Sequence, residues 1–237
     1  MHTPLQRLDE VYHVGQLDQG TRTGRASLEA FLLSVSIHPE DWASIARCGG
    51  PTWTLERPGA CYLDATALDD AAGAEIAAWG LECGYLEPAT IWRVWHYDDE
   101  GDSWGYMSFT DEDQARSEAE YLDYEDEEIP SESGETLDPV EGMVLTEAAM
   151  AALERWHEAT MAQDGITILW ARKVLAPENP DLVGVWWNED ENPEALSCPR
   201  GGIFPERLQE FRISDEHGRA PPALFLGPAG TDDDPSP

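Results

Sequence analysis

Positive charge is scarce in this chain: 14 Lys and Arg stand against 48 Asp and Glu, a formal net charge of −34 over 237 residues. A polyanion of this kind is repelled by nucleic-acid phosphates and by anionic lipid surfaces, so direct binding to either is excluded as an expectation. Basic proteins, cationic peptides and metal cations are the partners such a field attracts. Self-repulsion also weakens the compact state at low salt.

Other absences narrow the chemistry. No apolar run approaches the roughly 18 residues of a membrane-spanning helix, and the opening Met-His-Thr-Pro-Leu-Gln-Arg lacks the apolar stretch of a signal peptide. These features suggest a cytoplasmic protein that does not enter a membrane. The four cysteines, Cys48, Cys61, Cys83 and Cys198, form no C-x-x-C pair, so a zinc ribbon or thioredoxin-like motif has no local support. Two disulfides are arithmetically possible, but a cytoplasmic setting implies reduced, mostly buried thiols. There is no G-x-S-x-G, H-E-x-x-H or phosphate-binding glycine loop, no calcium-loop order in the turn at 98–102, and no internal repeat. His96 and His157 have no partner at metal-ligand spacing, and no metal site is expected.

What is present is enough apolar material for a core: 41% hydrophobic residues, with 10 Trp, 7 Tyr and 5 Phe. Large aromatic surfaces at this density argue against wholesale disorder despite the charge. Period-two alternation predicts strands at 10–14, 31–37, 52–57 and 61–65. Ser34 and Ser36 would form the polar side of the second of these. Pro39 followed by Glu40 and Asp41 reads as a helix start, with Gly49-Gly50 as its stop. A second helix opens at Asp69-Asp70. The aromatic runs 91–97 and 104–109, separated by an Asp/Gly-rich turn, predict a hairpin. A short helix follows Thr110, and another spans 145–161. The apolar segment 166–175 fits either element type, Leu182 to Trp187 reads as a buried strand, and 208–214 as a last one.

The stretch at 121–141, rich in Asp, Glu, Ser and Pro, is expected to be a solvated insertion, and 227–237 a disordered tail. Short strands mixed with separate helices, without strict β-α-β alternation, predict an α+β fold. It would comprise a mixed, mainly antiparallel sheet with flanking helices, in a single domain over 1–226.

Three segments carry candidate chemistry: Tyr12-His13 on the first strand, Ser34 and Ser36 on the second, and Asn188-Glu189 just after a late strand, with Arg200 in the following glycine-rich turn. This order resembles the ADP-ribosyltransferase superfamily. The resemblance implies NAD as cofactor and transfer or hydrolysis of ADP-ribose. His13, beside Tyr12, would hold a ribose hydroxyl, and Ser34 or Ser36 would stand beside the nicotinamide. Glu189, one of several carboxylates at 188–192, would stabilise the oxocarbenium-like sugar. Arg22 and Arg200 would face the pyrophosphate, with Arg25 posing the same question as Arg22.

Each of these residues also has a plain structural reading. His13 suits a packed strand, the two serines suit an edge-strand surface, and Glu189 suits a solvated turn. Arg200 suits an internal carboxylate as well as a phosphate. The tryptophans suit a core as well as a ligand cage. The competing function is a non-catalytic acidic protein, of immunity or nucleic-acid-mimic type, that blocks a basic protein surface. A third source for the charge is general acidity of the source proteome.

Overall fold

The structure is a computed structural model that describes residues 3–17, 32–98, 103–120, 122, 136–153, 162–192 and 197–221. It is α+β, with a mixed sheet of eight strands and an antiparallel sheet of three. The chain divides into two compact units: residues 1–76 with 167–237, and residues 77–166. A single unit was expected from sequence; the division falls inside two helices, where no composition shift marks it.

The first unit holds the strands β1 Leu5–Arg7, β2 Glu10–Val14, β3 Leu33–Ser36, β4 Thr52–Glu56, β5 Cys61–Asp64, β9 Leu182–Trp187, β10 Arg200–Ile203 and β11 Arg212–Asp215. Their order across the sheet is β1-β5-β9-β10-β3-β2-β4-β11. Every neighbouring pair is antiparallel except β5 with β9. Helix α1, Pro39–Ile45, begins where the sequence predicts, with Pro39 in its first turn followed by Glu40 and Asp41. Residues 208–214 are only partly strand: Pro205–Glu210 is a 3-10 turn that delivers the chain to β11.

One face of this sheet carries the main core. Val11, Val35, Trp53, Leu55, Trp186, Ile203 and Ile213 pack there with Tyr62 and Phe211. Close approach at the centre needs glycine. A Cβ on Gly184 would strike the Gly202 carbonyl oxygen, and one on Gly201 would strike the Trp186 indole. β9 is buried at all six positions, as its unbroken apolar run predicts.

β3 departs from its expected role. It lies between β10 and β2, so it is not an edge strand, and all four of its residues are buried. Ser36 is tolerated in the interior because its hydroxyl bonds Pro199 and the His38 backbone, and the Ser34 carbonyl meets the His13 ring.

The second unit contains the antiparallel sheet β7-β6-β8, built from β6 Leu86–Asp98, β7 Ser103–Phe109 and β8 Leu137–Leu145. The expected hairpin forms, with Trp95 opposite Tyr106 and Tyr97 opposite Trp104. Edge-to-face ring contacts at 5.1 and 5.4 Å join both pairs. Helix α3, Glu112–Ala119, is capped by Asp111, whose carboxylate accepts from the Gln114 N–H. Helix α4, Glu147–Ala152, is capped in the same way by Thr146.

The acidic stretch expected to be an insertion over 121–141 ends earlier than composition suggests. Residues 137–141 are already strand, paired with β6. Pro139 is compatible with this because β8 is an edge strand and needs no amide on its open side. Most of the remaining acidic stretch, and the tail at 227–237, lie outside the described residues.

Helix α2, Asp70–Glu82, and helix α5, Ala162–Trp170, cross the boundary between the units in sequence. α5 runs on through a π-helical turn at Ala171–Leu175 into the short α6, Ala176–Glu178. Thus the apolar segment at 166–175 is helical. All four cysteines are free thiols: Cys61 and Cys198 are buried, Cys48 half-buried and Cys83 exposed. No helix among the described residues is long and apolar enough to cross a membrane.

Candidate functional site

Strand register decides which candidate residues meet. Trp187 pairs with Arg200, Arg200 with Ser36, Ser36 with Tyr12, and Tyr12 with Thr54. Paired residues on neighbouring strands project to the same face, so Trp187, Arg200, Ser36 and Tyr12 form one row on one face of the large sheet. Ser34, two residues from Ser36, shares that face. His13 follows Tyr12 and pairs with Trp53, so its ring lies on the opposite face with the main core.

His13 is 1% exposed. Its Nδ1 lies 2.7 Å from the Ser34 carbonyl oxygen and its Nε2 lies 2.8 Å from that of Gln16. Both ring nitrogens thus lie against backbone carbonyls. This is the geometry of a histidine that ties a strand to its neighbour and to the following turn. The same turn is held by the Trp53 indole N–H, which donates to the Gly15 carbonyl at 2.9 Å.

On the other face, Arg200 donates to Glu189 at 3.0 Å, with both side chains largely covered. The guanidinium also stands 5.2 Å from the Trp187 ring and 5.9 Å from the Trp42 ring. Of the two partners considered for Arg200, the internal carboxylate is the one the structure places. The Ser197 hydroxyl donates to the Asp190 carbonyl at 2.8 Å and reaches Glu189 at 3.4 Å.

Ser36 is fully buried. Its hydroxyl donates to the Pro199 carbonyl at 2.6 Å and accepts the His38 backbone N–H at 3.0 Å. Ser34 is equally buried and makes interactions of its own. Tyr12 donates its hydroxyl to Glu10, and that bond, with burial and the charge of Glu10, pushes the phenol above its ordinary pKa. The Cys198 thiol is pushed up chiefly by burial, partly offset by a Ser36 hydrogen bond and by Arg200.

Comparison with known protein families, with curated proteins and with solved structures gives no match.

The candidates therefore separate. Tyr12, Ser34, Ser36, Glu189 and Arg200 belong to one face and its rim, whereas His13 belongs to the other. Arg22 and Arg25 lie outside the described residues. Two residues that the sequence reading left aside also belong to this corner. His38, preceding α1, and Asp41, in its first turn, lie with Glu191 so that one ligand-type atom of each falls within 4.8 Å of the others. The only local signal for them is the i, i+3 spacing of His38 and Asp41. Glu191 arrives from a distant segment, which spacing cannot reveal.

Proposed function

We propose that this protein is a non-catalytic acidic binding protein that occupies a basic surface on another protein, as an immunity protein or a nucleic-acid-mimicking inhibitor does. The observation carrying this reading is how its few cations are used. Arg57 pairs with Asp181 and Glu210, Arg116 with Glu112, Arg172 with Glu206, Arg200 with Glu189, Arg207 with Glu210, Arg212 with Glu56, and Arg219 with Asp215. Each pair is internally compensated. The excess charge is left to exposed carboxylates such as Asp69, Asp70 and Glu75, which have no basic partner among the described residues. A surface so arranged attracts cationic partners at long range and repels nucleic acid.

The transferase reading is supported less well. Its catalytic carboxylate, Glu189, is engaged by Arg200, and the ring of His13 is engaged by two backbone carbonyls on the far side of the sheet. Neither group is poised toward a shared NAD.

The test is calorimetric titration of the protein with a panel of purified basic nucleases, alongside NAD. At least one nuclease is expected to bind, with affinity falling by about tenfold or more from low to physiological ionic strength. Absence of any binding at low salt, or binding indifferent to salt, overturns the proposal. NAD turnover abolished by Glu189→Gln would establish the transferase instead.

A further inference from the structure

We propose that His38, Asp41 and Glu191 form a binding site for a divalent first-row transition-metal ion of the zinc type. The proposal does not depend on the partner reading above. One imidazole and two carboxylates are a donor set suited to such ions, whereas magnesium and calcium favour oxygen alone. Metal–ligand bonds of about 2.0–2.2 Å set donor atoms about 3–4 Å apart in tetrahedral or octahedral coordination. His38 Nε2 and Glu191 Oε2 are already 3.4 Å apart, and one ligand-type atom of each residue falls within 4.8 Å of the others. A sub-ångström closure of the third side chain completes the set.

The backbone that presents these groups is held from both sides. His38 is the residue before α1 and Asp41 lies in its first turn, and their ligand-type atoms fall within 4.8 Å of each other. The His38 N–H is fixed by Ser36 Oγ, which is in turn fixed by the Pro199 carbonyl. Glu191 stands beside Asn192, whose amide and carbonyl exchange two hydrogen bonds with Ser197 at 2.9 and 3.0 Å. Thus the two chain segments that supply the ligands are tied to the same β10 lead-in.

Two further observations point to a cation. Asp41 has no cationic partner among the described residues. The arginine of this corner, Arg200, is engaged by Glu189 and two indoles, and among the described residues the basic group paired with Glu191 is His38.

A chain of net charge −34 attracts cations diffusely, so the experiment must separate a site from an atmosphere. The full chain is titrated with Zn²⁺ in competition with a chromophoric chelator and with Co²⁺ read by its visible absorption, in excess Mg²⁺. Wild type is compared with His38→Gln, Glu191→Gln and, as a charge-matched control on the same helix, Glu40→Gln. One ion per chain is expected, with a Co²⁺ spectrum of nitrogen–oxygen ligation. His38→Gln and Glu191→Gln should each weaken binding by at least about tenfold, and Glu40→Gln should leave it unchanged. Circular dichroism of each variant checks the fold. Equal effects of the Glu191 and Glu40 substitutions, displacement by Mg²⁺, or no stoichiometric ion overturn the proposal.

Discussion

Arg200 donates to Glu189 at 3.0 Å while its guanidinium lies 5.2 Å from the Trp187 ring and 5.9 Å from the Trp42 ring. One side chain thus joins the end of β9, the start of β10 and helix α1. It also neutralises Glu189 at the end of β9. In so acidic a chain, this internal use of an arginine is an electrostatic repair as well as a packing contact.

Removing that side chain should therefore cost more than an exposed ion pair. Arg200→Ala is expected to lower unfolding free energy by about 1–2 kcal/mol, measured by urea denaturation. Arg200→Lys should recover little of the loss, because an ammonium neither stacks on the indoles nor presents a planar fork.

His13 is expected to behave as a structural residue. His13→Phe fills similar space but leaves the Ser34 and Gln16 carbonyls without their ring partners. A loss of about 1–3 kcal/mol in the same assay is expected. A variant as stable as wild type would show that these hydrogen bonds contribute nothing.

Tyr62 presents the opposite case. Its ring makes an edge contact with Trp186 at 5.7 Å, yet its hydroxyl is buried without a hydrogen-bond partner among the described residues. Burial pushes its phenol far above the ordinary range despite the nearby Arg57 charge. Tyr62→Phe keeps the packing and removes the orphaned group. The thermal midpoint is expected to hold or rise.

The thiols should react in order of exposure. Cys83 is exposed and is expected to alkylate first with iodoacetamide. Burial raises the pKa of Cys48 and Cys198, so each carries less thiolate near neutrality than an ordinary cysteine. Their labelling in the native protein should lag and should accelerate only as pH rises through the raised values. Peptide mapping by mass spectrometry gives the order; Cys198 labelling before Cys83 would contradict the packing described here.

Local pattern made much of the fold legible. β2, β4, β5 and β9 lie where alternation or an unbroken apolar run places them, and α1 starts at its proline because fixed φ and a missing amide suit a first turn. Composition misjudged 137–141, where a sequence rich in acids and proline still pairs as an edge strand. The same kind of error affected Ser34 and Ser36. Polar side chains suggested an outer face, but both are buried, and the hydroxyl of Ser36 finds its acceptor far along the chain at Pro199.

The sequence by itself determined the charge, the α+β class and most element positions, because these depend on residue type and on neighbours a few positions away. Tertiary structure alone decided the site. Alternation puts Tyr12 and His13 on opposite faces of any strand, but which face meets Arg200 depends on long-range register between β2, β3 and β10. Likewise, Glu189 and Glu191 gain their meaning only when a distant arginine and a distant histidine arrive beside them. A charge in a sequence is a property of one residue, whereas the energy of that charge depends on what the fold brings within a few ångströms of it.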